Sequence, residues 1–177
     1  MYADNTLTPK EAIRLCALGI IANAPVSYAE LASNVRHFVT HVMGPSLDVL
    51  GTSIELLKHE GLVIAVSGDT DLDLLQITDK GLIELKMLLK ANIKQAENDL
   101  NKLIIALKFR FMDLLDATEQ KVQLELLAES VDNELARLEA LYAHHVTDGS
   151  HLVEWLDREI EDLERRRDWL KAKSERV

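Results

Sequence analysis

The sequence predicts a mainly α chain with a small β-wing: an N-terminal winged helix-turn-helix followed by a C-terminal dimerisation domain of long helices. Three observations lead there. Three short helical patterns precede two β-branched or apolar runs that are separated by turn formers. Beyond Thr78 apolar residues recur at three- and four-residue spacing with no strand pattern. A chain of 177 residues that is 47% hydrophobic and 28% charged can bury a sizeable core in one or two domains.

Taken in order, Thr8 can cap a first helix with Pro9 at its first position, where the missing N–H does no harm. That helix runs to about Ala22, and Asn23-Ala24-Pro25 ends it. Ser27-Tyr28-Ala29-Glu30 has the spacing of a capping box, and Leu31, Val35, Phe38 and Val42 form the apolar stripe of a second helix. Met43-Gly44-Pro45 supplies the break before a third helix over 46–60. There Leu47, Leu50, Ile54 and Leu57 build the core-facing stripe, which leaves Ser46, Asp48, Thr52, Glu55, Lys58 and His59 on other faces. Gly61 stops this helix. A β-ribbon follows through 62–67, the turn Gly68-Asp69-Thr70-Asp71, and 72–78.

From Thr78 the spacing of Leu82, Leu85, Leu89, Ile93, Ala96, Leu100, Leu103, Leu107, Phe111 and Leu114 predicts one helical run of about nine turns. Asp116-Ala117-Thr118 interrupts it, and Leu124, Leu127, Val131, Leu135, Leu138 and Tyr142 continue a second stripe. Thr147-Asp148-Gly149-Ser150 turns the chain into a last helix carrying Leu152, Leu156, Ile160, Leu163 and Leu170. Long amphipathic helices without a sheet imply an intersubunit bundle, and a second copy of the same stripe is the natural partner. The expected domains are 5–80, a winged helix, and 81–177, a helical dimerisation domain with coiled-coil character.

The formal charge is −10. Residues 27–75 hold two basic side chains, Arg36 and Lys58, against seven acids, Glu30, Asp48, Glu55, Glu60, Asp69, Asp71 and Asp73, which is net −5. A nucleic-acid reader built this way has a weak phosphate-neutralising component, with His37, His41 and His59 as its reserve on mild acidification. The single cysteine, Cys16, excludes an intrachain disulfide and a Cys-rich zinc site. The apolar stretch 15–26 is too short to span a membrane and follows Lys10, Glu11 and Arg14, so a cytoplasmic location is expected. No catalytic motif, cofactor site or metal site is expected. His144, His145, Asp148 and His151 do not converge at ligand spacing, and the run 69–73 lacks the closing glutamate of a calcium loop. Arg165-Arg166-Arg167 lies among Glu161, Asp162, Glu164 and Asp168, a solvated face laced with local ion pairs.

Three segments carry a resemblance to a known group. Val26-Ser27-Tyr28 opens the second helix, Ile54-x-x-Leu57-x-x-x-Gly61-Leu62-Val63 closes the third, and Ile77-Thr78-Asp79-Lys80-Gly81 leaves the wing. Together with 108–115 and 159–170, their order and spacing resemble the PadR family of bacterial transcriptional regulators and its AphA-like branch. Two positions depart from the family pattern: Gly51 stands where a tyrosine is usual, and the wing tip is acidic rather than basic. The resemblance implies a homodimer that occupies operator DNA, with no enzymatic activity. It also allows Trp155 and Trp169 in the last helix either as dimer-interface anchors or as an aromatic wall for a small-molecule effector.

On that reading the third helix enters the major groove from its N-terminal end. Ser46 meets phosphate, Thr52 reaches a base edge, and Arg36, His37, His41, Lys58 and His59 neutralise the DNA backbone. The alternative is a winged-helix protein-interaction module that has lost direct DNA binding, for which the acidic wing and Gly51 speak.

Overall fold

The computed structural model describes residues 6–44, 50–67, 73–93, 99–147 and 150–177, with the side chains of 50–54 and of Ser67 left undescribed. The chain divides into two compact units, Met1–Leu114 and Leu115–Val177.

In the first unit, α1 (Pro9–Asn23) begins at a full capping box. The Thr8 hydroxyl accepts from the Glu11 backbone N–H at 3.3 Å, and the Glu11 carboxylate accepts from the Thr8 N–H at 2.7 Å. The Thr8 hydroxyl, which also donates to the Glu11 carboxylate at 2.7 Å, and the Thr8 N–H together hold that carboxyl below the usual range. The helix is the centre of the unit's core: Ala12, Ile13, Leu15, Cys16, Ala17, Leu18 and Ile21 are all buried. A two-residue strand, β1 (Val26–Ser27), leads into α2 (Tyr28–Met43), whose Ser27 cap accepts from the Glu30 N–H. The buried stripe of α2 is Leu31, Val35 and Val39. Phe38 and Val42, expected in that stripe, are only half-buried because Val39 takes the inward position on the next turn.

The next helix, α3, is described over Leu50–His59. Its end is a Schellman motif: the Gly61 N–H donates to the Lys58 carbonyl at 3.0 Å and the Leu62 N–H to the Leu57 carbonyl at 2.9 Å. Gly61 has φ +72°, a conformation in which any Cβ is strained, and Leu57 and Leu62 are both buried beside it. The start of the expected helix, 46–49, lies outside the described residues, as do the side chains of Leu50 and Ile54.

Strands β2 (Val63–Ser67) and β3 (Asp73–Ile77) pair antiparallel in the register Val63 to Ile77 through Ser67 to Asp73. β1 adds to the other edge of β3, giving the order β1-β3-β2. The turn expected at 68–71 lies outside the described residues.

The single run of about nine turns expected after Thr78 is corrected by the structure. α4 (Asp79–Leu89) stops at Lys90, buried Ala91 follows, and Asn92 bridges to Thr6 before α5 (Asp99–Phe111) begins. The apolar spacing persists across the break because both helices face the same core. α4 packs on α1, and α5 packs on α1 and α2. The packing unit therefore extends past residue 80 to Leu114, whereas the functional division expected at 80/81 is a separate matter. Leu82, expected in the stripe, is exposed.

The second unit is a helical hairpin of α6 (Ala117–His145) and α7 (His151–Ser174). Asp116 and Glu119 form the capping box of α6. Leu124, Leu127, Ala128, Val131 and Leu135 are buried on α6, and Leu156, Leu163 and Leu170 recur at seven-residue spacing on α7. Asp132 of α6 ties the seam to α7 through Lys171 at 3.0 Å. Of the i,i+3 and i,i+4 pairs expected around Arg165–Arg167, Arg165 with Asp162 is present; Arg167 pairs instead with its neighbour Asp168, and Arg158 with Glu161 is a further pair on α7.

Candidate nucleic-acid interface

The first unit orders its elements as a winged helix, with α2 and α3 as the helix-turn-helix and β2–β3 as the wing. What fixes the wing on the helices is the junction at Thr78. Its N–H donates to the Leu62 carbonyl at 3.0 Å, and its hydroxyl lies 2.8 Å from the Gly61 carbonyl and 3.1 Å from that of Leu62. The same hydroxyl accepts from the Gly81 N–H at 3.0 Å and so caps α4. A Cβ on Gly81 would lie 2.1 Å from the Leu62 carbonyl oxygen. The Ile77-Thr78-x-x-Gly81 segment is thus a joint between the end of α3, the base of β2 and the start of α4.

A second joint is electrostatic. Arg14 of α1 reaches Glu60, just past α3, at 2.9 Å, and Glu84 of α4 at 3.1 Å. Desolvation works against the Arg14 charge, but the two carboxylates outweigh it and hold the guanidinium above its usual range. Glu60, one of the seven acids of segment 27–75, is thereby neutralised from outside that segment. Lys80 adds to the same place by donating to the Glu60 carbonyl at 2.7 Å.

Of the expected DNA contacts, Arg36, His37 and His41 are exposed together on α2. The His37 and His41 rings lie 4.1 Å apart, centre to centre, and His41 Nδ1 is 2.7 Å from the His37 carbonyl oxygen. Lys58 and His59 are exposed at the C-terminal end of α3, a separate group. Thr52 belongs to α3 but its side chain lies outside the described residues, and Ser46 lies outside them altogether.

One basic residue escaped the sequence reading. Arg110 of α5 is exposed and sets its guanidinium 4.4 Å from the Phe38 ring, so it stands beside α2. No local spacing signals this, because the contact joins helices far apart in the chain. Two ionisable groups are buried in the same unit, Cys16 on α1 and Lys108 on α5. Burial pushes the Cys16 thiol up to about 12, which leaves it an unreactive core residue. Lys108 is 1% exposed, and its ammonium donates to the Leu89 carbonyl at 2.6 Å, at the C-terminal end of α4. Burial lowers its pKa to about 8.

In the second unit Trp155 and Trp169 are 51% and 53% exposed, and Val122, Leu141 and Leu152 are exposed as well. The two tryptophans sit fourteen positions apart on α7, close to four turns, and so share a face of the helix outside the seam.

Among the described residues no helix is long and apolar enough to cross a membrane, and no group of three or more metal-ligating side chains converges. The model of the AphA-like transcriptional regulator family matches residues 2–174. No curated protein sequence matches the chain. Similar solved structures include Bacillus subtilis PadR, at 16% identity, covering 96% of each chain with a TM-score of 0.42. The same protein in complex with operator DNA matches at 17% identity, covering 92% of this chain and 97% of that one, with a TM-score of 0.39. In complex with p-coumaric acid it matches at 16% identity, covering 96% and 97%, with a TM-score of 0.40.

Proposed function

The chain belongs to the AphA-like family of transcriptional regulators, and from that premise we propose that it regulates by occupying operator DNA directly, as a homodimer. The observation that carries this reading is the winged-helix order itself, α1-β1-α2-α3-β2-β3, with the turn that ends α3 tied to the exit of the wing by the Thr78 joint. In this reading α3 enters the major groove, Ser46 and Thr52 serve its leading end, and Arg36, His37, His41, Lys58 and His59 face phosphate. Arg110 joins them from α5. The small number of cations predicts a shallow salt dependence compared with basic winged helices.

Dimerisation through the C-terminal helices is supported by the exposed Trp155 and Trp169 on one face of α7, large apolar side chains of the kind that anchor interfaces. Their exposure within the hairpin favours the interface role over an effector wall, and a small-molecule effector enters only by likeness to the complex of Bacillus subtilis PadR. A cytoplasmic site of action and the absence of catalysis go with this function.

The test is retention of sheared genomic DNA from the source organism by the purified protein at low and at moderate salt, with sequencing of what stays bound. A two-fold symmetric enriched site is the expected result. Retention of no sequence above background would favour the protein-interaction reading, in which the winged helix has given up DNA.

A further inference from the structure

We infer that His37 and His41 form a two-point site for a borderline divalent transition cation such as zinc, nickel or copper. The two histidines stand four positions apart on α2, where successive turns bring side chains over one another. Their ring centres are 4.1 Å apart. The two imidazoles therefore stand side by side on one face of α2, where rotations about their side-chain bonds can turn one nitrogen of each onto a shared ion at metal–nitrogen distances of about 2.0–2.1 Å.

The tautomer favours it too. His41 Nδ1 lies 2.7 Å from the His37 carbonyl oxygen, which can only accept, so Nδ1 carries the hydrogen. In the neutral ring Nε2 then keeps its lone pair, and the hydrogen bond at the opposite nitrogen fixes the ring, as outer partners of metal-bound histidines do. Both rings are exposed, so water can complete the coordination and the ion can enter. His41 also lies in the last turn of α2, where the helix dipole is negative and a cation is favoured.

Imidazole donors without thiolates suit zinc, nickel and copper rather than calcium or magnesium. A bound ion would place two positive charges on the helix that is proposed to face phosphate, in a segment otherwise poor in lysine and arginine. The site itself does not depend on that proposal, and its test contains no DNA, so either can fail without the other.

The experiment is calorimetric titration of nickel and of zinc chloride into the full-length protein near neutral pH, beside His37→Ala, His41→Ala and a His144→Ala/His145→Ala control. Wild type and control should bind one equivalent per chain. Each α2 variant should lose at least about tenfold in affinity, since even an outer partner of a metal ligand is worth about 10–100-fold. No saturable binding by wild type, undiminished binding in both α2 variants, or loss in the control instead, overturns the inference. Circular dichroism of the variants checks that α2 is intact.

Discussion

Replacing Gly81 with alanine should loosen the wing from the helices, and the cost can be worked from the joint. The added Cβ would stand 2.1 Å from the Leu62 carbonyl oxygen, 2.7 Å from Ile77 Cγ1 and 3.1 Å from the Leu62 carbonyl carbon. Ordinary contact begins at 3.4 Å, so the start of α4 and the base of β2 must separate by more than an ångström. The nearest atom is backbone and has no rotamer to escape into. The separation strains the Thr78 N–H bond to Leu62 and the Thr78 hydroxyl bridge to the same carbonyl. Overpacking costs about 1–3 kcal/mol and each lost neutral hydrogen bond about 1 kcal/mol, while alanine recovers up to about 1 kcal/mol in helix propensity. The net expectation is a loss of about 2–4 kcal/mol. Gly61→Ala is the comparison: its Cβ meets nothing within 4 Å, so only the positive φ is penalised, by about 1–2 kcal/mol. Both tryptophans belong to the second unit, so fluorescence does not report this region directly. Urea melts followed by circular dichroism, with hydrogen exchange of the β2 and β3 amides, read it instead. A Gly81→Ala protein as stable as wild type, with unchanged exchange at β2 and β3, would refute the close-approach reasoning.

Gly19→Ala should be destabilising in a softer way, by about 1–2 kcal/mol, because its Cβ would meet the buried Phe111 ring at 2.5 Å and a ring can shift slightly. A double-mutant cycle with Phe111→Leu should recover part of the loss, and strict additivity would count against the contact. Lys108 predicts a pH effect of definite sign. Its folded pKa of about 8 lies below the ordinary 10.5, so between those values the unfolded chain binds more protons and stability rises with pH, by about 3 kcal/mol in all. Cys16 acts oppositely above 9, since its buried thiol holds its proton to about 12 while the unfolded chain releases it. Wild type should therefore gain stability from about pH 8 to 9 relative to Lys108→Met; parallel urea-melt profiles for the two would remove the lysine from the account. Arg36→Ala should weaken binding to all DNA sequences about equally and lower the slope of log affinity against log salt by about 1. An unchanged slope would take Arg36 off the phosphate backbone.

Local chemistry explains which parts of this molecule could be read from its residues. The helix starts at Thr8 and Ser27 are legible because caps are chosen by groups within three or four positions of one another, whereas Asp116, expected only to interrupt a helical run, is the cap of the next helix. The stop at Gly61 is equally local, since the residues that need its positive φ are Leu57 and Lys58. The break after Leu89 was not legible. Neither Lys90 nor Ala91 breaks a helix by propensity, and the apolar spacing runs through them. What ends α4 there involves the bridge of Asn92 to Thr6 and the ammonium of Lys108 on the Leu89 carbonyl, both supplied from distant sequence. A buried lysine looks like an ordinary surface residue in a sequence, and only packing reveals that it satisfies a helix end.

The same distinction decides how the acidic charge should be weighed. Counted along the chain, residues 27–75 carry too few cations for a reader of phosphate. Folding changes that count by bringing in residues from outside the segment: Arg14 reaches Glu60 from α1, and Arg110 arrives beside Phe38 from α5. One acid is offset and one cation is gained, which narrows the deficit without reversing it. The neighbouring pair His37 and His41 is then the local group on α2 that the proposed metal ion would charge. A regulator with such a face would hold DNA weakly by default and tighten in response to a condition, where a permanently basic face would not discriminate. The order of effects is therefore testable in one series: DNA affinity of wild type, of His37→Ala and of His41→Ala, each with and without added zinc. If zinc strengthens wild type alone, charge on α2 limits binding; if all three respond equally, the deficit is made up elsewhere.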